Sequence, residues 1–153
     1  MKCALFLYSG IDRDEAERLK DYLQGKLRAV ADLRNITDIL AEDQEVNDEL
    51  AGSDCVVLIG SRKTSYLIQN NEQETDDEFV IFDGAMIREM FATNHDKLVI
   101  VFFAERNKND WVPVGFDEKK IFHISGGEIR RGNPVLDQLE DCIKGILLGQ
   151  NRV

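Results

Sequence analysis

Few groups in this chain could carry chemistry. The two histidines, His95 and His123, have no serine or cysteine at a nucleophile spacing, which argues against a hydrolase triad. Both read as surface or sheet-end residues. The acidic run of Glu72, Glu74, Asp76, Asp77 and Glu78 has the charge to attract Ca²⁺. It lacks the alternating ligands and central glycine of an EF-hand loop, so it reads as a solvated surface excursion. Ser125-Gly126-Gly127 could cradle a phosphate, yet it belongs to no GxGxxG fingerprint and has no Walker lysine, and it reads as a turn. Cys3, Cys55 and Cys142 each lie in an apolar segment, with no CxxC pair and no histidine at metal-ligand spacing. They read as reduced core thiols, and no metal site is expected.

What remains are polar and aromatic residues placed where apolar runs stop: Ser9-Gly10, the loop Arg34-Asn35-Ile36-Thr37-Asp38, the loop carrying Ser61, Ser65 and Tyr66, and the loop around Trp111. Their value depends on what holds them together. Cys3–Tyr8, Cys55–Ile59 and Leu98–Phe103 are apolar throughout, as strands covered on both faces are, and Ile121–Ile124 is a shorter, edge candidate. A weaker strand is expected around Leu27–Leu33. Helical spacing connects Ala16, Leu19, Leu23 and Leu27 in a helix over Arg13–Leu27, with Asp12 and Glu15 spaced as a capping box. It recurs over Ile39–Leu50, as one short helix or two irregular ones closed by Gly52, and over Phe82–Thr93. In the last helix Asn133 caps, Pro134 takes the first helical position, Val135, Leu139, Cys142, Ile143, Ile146 and Leu147 form an apolar stripe, and Gly149 ends it.

Alternation of strand and helix predicts a flavodoxin-like α/β sandwich of three layers, its central parallel sheet having about five strands. Right-handed crossovers would then bring the strand-to-helix loops to one rim, where such sheets bind ligands at the switch in strand order. A length of 153 residues suits a single domain spanning 1–153, since neither a linker nor an internal repeat divides it. A formal charge of −10 repels phosphate backbones and anionic lipid, which excludes nucleic acid as a natural partner. The pairs Arg62-Lys63 and Arg130-Arg131 are too small to reverse that field. Residues 3–8 are too short for an export signal, and no apolar run approaches the ~18 residues of a membrane helix. No direct membrane insertion is expected, and the cytoplasm is the expected compartment unless the domain is cut from a longer, anchored chain.

In order, these segments resemble the TIR/SEFIR superfamily of signalling domains, and its SEFIR branch most. Tyr8-Ser9-Gly10-Ile11-Asp12 looks like the family's opening, an apolar strand followed by a Tyr-Ser pair and an acidic residue. Ser53-Asp54-Cys55-Val56-Val57-Leu58-Ile59, with a serine soon after, resembles its central strand. Val80-Ile81-Phe82-Asp83-Gly84-Ala85-Met86-Ile87 is similar to the SEFIR helix opening. Lys97–Phe103, Trp111-Val112-Pro113 and Ile121-Phe122 are similar to the family's closing segments. The resemblance covers nearly the whole chain, and order and spacing carry it together.

Two kinds of activity follow from the resemblance. Many such domains are interaction modules that associate with like or related domains, as immune signalling adaptors do, through the loop after the second strand. That would make Arg34, Asn35, Ile36, Thr37 and Asp38 a contact surface, with no cofactor required. Others hydrolyse or cyclise NAD by breaking its nicotinamide–ribose bond with a glutamate on the helix after the third strand. Asp83 aligns with that glutamate but is one methylene shorter. Glu89 is the second candidate carboxylate, about 600° further round the helix, and so off Asp83's face. Ser9, Gly10, Ser61 and Tyr66 would be ligand-binding, and Trp111 would stack on a flat ring. The plainer reading of Asp83 is a carboxylate favoured by the helix dipole, and that of Trp111 is a packed loop anchor.

Overall fold

The computed structural model describes residues 2–36, 46–76, 79–103, 111–124 and 128–149. The central sheet contains β1 (Lys2–Leu7), β2 (Ala31–Asn35), β3 (Cys55–Gly60), β6 (Leu98–Phe102) and β7 (Ile121–His123). They lie in the order β2-β1-β3-β6-β7, and every neighbouring pair is parallel. Ala4 sets the register at the centre, opposite Leu33 on one side and Cys55 on the other. All six residues of β3 and all five of β6 are buried, which is why these runs are apolar without alternation. β7 is an outer strand, as its short apolar run predicts, and β2 is the outer strand on the other side.

From β1 the chain crosses outward to β2 through α1 (Arg13–Leu27), and from β3 it crosses in the opposite direction to β6 through α3 (Arg62–Gln69) and α4 (Gly84–Thr93). Right-handed crossovers in opposite directions put the helices on opposite faces, giving three layers. α1 buries Ala16, Leu19, Leu23 and Leu27 and touches α5 (Pro134–Leu147), which packs on β1, β3 and β7. Asn133 caps α5 through its side chain, accepting from the Val135 N–H at 2.9 Å, and Pro134 occupies the first turn. Gly149 follows with a φ of 70°, the left-handed conformation that ends a helix. A further helix, α2 (Val46–Gly52), precedes β3; the rest of the helical reading over 39–45 lies outside the described residues.

Four local expectations are corrected. The weak strand is Ala31–Asn35 and not Leu27–Leu33, because Leu27 completes the buried stripe of α1. No Asp12–Glu15 capping box forms: Asp12 instead accepts from the Ser9 hydroxyl, and a 3-10 turn, Gly10–Asp12, leads into α1. The segment carrying Ser61, Ser65 and Tyr66 is helix α3 and not a loop. The acidic excursion is half of an antiparallel hairpin, with β4 (Gln73–Asp76) paired to β5 (Phe79–Asp83), so that α4 begins at Gly84 and not at Phe82. β-Branched and aromatic residues in Phe79-Val80-Ile81-Phe82 favour the strand.

At Gly84 the backbones of α3 and α4 come too close for any side chain. A Cβ there would collide with the Leu67 carbonyl group, lying 2.5 Å from its carbon, and would sit 2.9 Å from the Ile68 Cα. Arg88 ties the same pair of helices further along, donating from Nε to the Ile68 carbonyl at 2.8 Å.

Candidate functional site at the carboxyl rim

Strand order reverses between β1 and β3, so the ligand position of this topology lies over Ser9-Gly10 and Gly60-Ser61. At the end of β1, Ser9 is buried and donates its hydroxyl to Asp12 Oδ2 at 3.0 Å. The Gly10 N–H, which would face a ligand there, donates to Glu74 Oε1 at 2.6 Å. This short, charge-assisted bond joins residues 64 apart in the chain and lays the β4–β5 hairpin across the switch point. A bulge in the hairpin aims it. Glu74 opposes Phe82 and Thr75 opposes Val80, which leaves Ile81 as the extra residue, turned into the core beside Gly10.

One step along the same ladder, Gln73 opposes Asp83, and its Nε2 donates to Asp83 Oδ2 at 3.0 Å. Asp83 Oδ1 accepts from the N–H groups of Ala85 at 3.1 Å and Met86 at 3.3 Å, capping α4. Ser9, Gly10 and Asp83 are therefore joined through the hairpin, and both carboxylate oxygens of Asp83 are engaged. Glu89 lies on the exposed side of α4 and joins none of these bonds.

The predicted residues beyond β3 and β6 form a second cluster. Ser61 caps α3: its Oγ accepts from the Thr64 N–H at 3.3 Å, and Thr64 Oγ1 accepts from the Ser61 N–H at 2.6 Å. Tyr66 projects from α3 into solvent. Trp111 is 8% exposed, donates its indole N–H to Ser65 Oγ at 2.8 Å, and packs 5.7 Å from the rings of both Phe91 and Phe102. So enclosed, it has the surroundings of a packed anchor, and no open ring face for a ligand to stack on. On the far side of β1, Arg34 and Asn35 belong to β2 and not to a loop. Arg34 Nη1 pairs with Glu49 Oε2 at 3.3 Å, while Asn35 and Ile36 are 5% and 1% exposed, which removes their side chains from any contact surface. Thr37 and Asp38 lie outside the described residues.

Away from the rim, burial raises the thiols of Cys3, Cys55 and Cys142, so that all three stay protonated and poorly nucleophilic near neutral pH. Lys97 is lowered by desolvation and donates to the carbonyls of Leu50 at 2.7 Å and Ser53 at 3.0 Å, closing the carboxyl end of α2. Among the described residues, no three His, Cys, Asp or Glu side chains cluster as a metal site, and no helix is long and apolar enough to cross a membrane. An open crevice of about 840 Å³ lies elsewhere, beside the outer strand β7, between Phe91 of α4, the turn at Pro113–Phe116 and the Asp141–Cys142 stretch of α5. The sequence points to Glu74 only as one carboxylate of the acidic run, and it does not signal the crevice. Comparison of the sequence with protein-family models and with curated proteins gives no match.

Proposed function

We propose that this chain is an interaction domain of the TIR/SEFIR kind, which associates with itself or with related domains to pass on a signal and needs no cofactor to do so. One observation carries the reading: the switch-point amide of Gly10 is already bonded to a carboxylate of the chain itself. Two further features support it. Asp83, the group an NAD-cleaving relative would direct at the ribose, spends both oxygens on the cap of α4 and on Gln73. Apolar side chains also reach solvent, Tyr66 from the helix that follows β3 and Val114 from the turn after Trp111.

Sedimentation velocity over a range of protein concentrations tests the proposal, with nicotinamide release from NAD measured on the same samples. Association that grows with concentration, without nicotinamide release, is the expected result. A protein that stays monomeric and releases nicotinamide, with the release lost in Asp83→Ala, would replace this reading by NAD hydrolysis or cyclisation.

A further inference from the structure

We infer that the crevice beside β7 is the face through which two copies of this chain meet, each placing Val114 in the crevice of the other; this rests on the interaction-domain reading above. Val114 is the most exposed of the large apolar side chains among the described residues. It stands at the tip of a tight turn in which the Phe116 N–H donates to the Pro113 carbonyl at 3.2 Å and Gly115, third of the four residues, takes a φ of 94°. Glycine at that place is what a type II turn requires, so the projection of Val114 is built into the backbone.

The receiving surface is preformed. Phe91 packs edge-on against Phe116 with centroids 5.4 Å apart and against Trp111 at 5.7 Å, which fixes the aromatic floor before any partner arrives. Lys120 stiffens the rim, its ammonium donating to the Asp96 carbonyl at 2.8 Å. Little ordering is then left to oppose association. A volume of about 840 Å³ admits the whole tip of the turn and not only one valine.

Charge decides for a second copy as the occupant. A molecule carrying −10 repels its like, and self-association needs a local face where both signs occur. This crevice has such a face: Lys119 and Lys120 stand on the same rim as Asp96, Asp117 and Asp141. A two-fold interface brings one patch against itself, so each copy can offer its cations to the other's carboxylates. A purely anionic or purely cationic partner would meet like charge on half of the rim.

Sedimentation velocity on the full chain tests this with Val114→Asp, Lys119→Glu and, as a control on the carboxyl rim, Ile11→Asp, each checked for native melting. Since all three side chains are exposed, none should impair folding. Val114→Asp and Lys119→Glu should each weaken wild-type self-association about tenfold or more, while Ile11→Asp leaves it unchanged. Self-association untouched by Val114→Asp, or abolished by Ile11→Asp alone, would overturn the inference and leave the interaction-domain reading standing. A wild-type protein monomeric at every concentration would overturn the inference, and nicotinamide release from the same samples would overturn the interaction-domain reading with it.

Discussion

Replacing Gly84 with alanine adds one carbon where two helices already touch backbone to backbone. The new Cβ would lie 2.5 Å from the Leu67 carbonyl carbon and 2.9 Å from the Ile68 Cα, against an ordinary contact of about 3.5–4 Å. No side-chain rotation relieves this, because the opposing atoms are main chain. α3 and α4 must separate by about 1 Å, which strains the Gly84 N–H bond to the Glu72 carbonyl, 2.9 Å long, and the Arg88 bond to Ile68. Overpacking of a tight site costs about 1–3 kcal/mol, and a backbone collision belongs at the upper end. Alanine's better helix propensity offsets at most about 1 kcal/mol. A net loss of about 2 kcal/mol lowers the melting temperature of a domain this size by about 4–8 °C. Thermal and urea unfolding followed by circular dichroism measure it. Gly25→Ala is the control: Gly25 is an exposed position within α1 whose Cβ would meet nothing within 4 Å, and alanine there should stabilise by about 0.5–1 kcal/mol. Equal behaviour of the two variants would refute the close approach of α3 and α4.

Glu74→Gln should speed hydrogen exchange at the Gly10 amide by removing the charged acceptor, while exchange in β3 and β6 stays unchanged; unaltered exchange at Gly10 would place Glu74 off the switch point. Ser65→Ala strands the buried indole N–H of Trp111 and should cost about 1–2 kcal/mol. The chain has a single tryptophan, so intrinsic fluorescence reports on that site directly, and an unshifted unfolding midpoint would contradict the bond. The Cys55 thiol, pushed above its ordinary 9.0 by burial, should resist a thiol reagent in the native protein and react on unfolding. Because its folded pKa lies above the unfolded one, the native state holds the proton longer, and Cys55 lowers stability as pH rises past 9.0. Rapid native labelling of Cys55 would contradict its burial.

Elements with local start and stop signals are legible in the sequence. The bounds of α1 follow from its apolar spacing and the opening of α5 from the Asn133 cap and Pro134, and the buried runs at Cys55 and Leu98 identify themselves by composition. α3 was not legible. Its capping box uses Thr64 where the recognisable pattern has glutamate or glutamine, and Thr64, Ser65 and Tyr66 are indifferent helix formers. The hairpin is hidden for a different reason: β4 is so acidic that its own composition argues against order, and it is held by pairing with β5 and by the bond of Glu74 to Gly10. The alternation of strands and helices puts Ser9 and Gly10 at the carboxyl end of β1, where they lie, but a contact between residues 64 apart leaves no mark in periodicity or motif.

The switch point and the β7 edge of this sheet have opposite relations to solvent, and topology explains which is which. Parallel strands in the order 2-1-3 open a crevice above β1 and β3 because the helices leave in opposite directions there. The segment between β3 and β6 is long enough to hold a hairpin as well as two helices, and it folds back over that crevice, supplying Glu74 to the amide and Ile81 to the core. At β7 no further strand covers the edge among the described residues, and a short strand with a tight turn beside it leaves a hollow lined by rings that are already packed. An edge left in that state invites pairing with another chain unless it is blunted. Charges of both signs stand on the rim of that hollow, Lys119 and Lys120 with Asp117 and Asp141, and charge near an edge works against indiscriminate strand pairing.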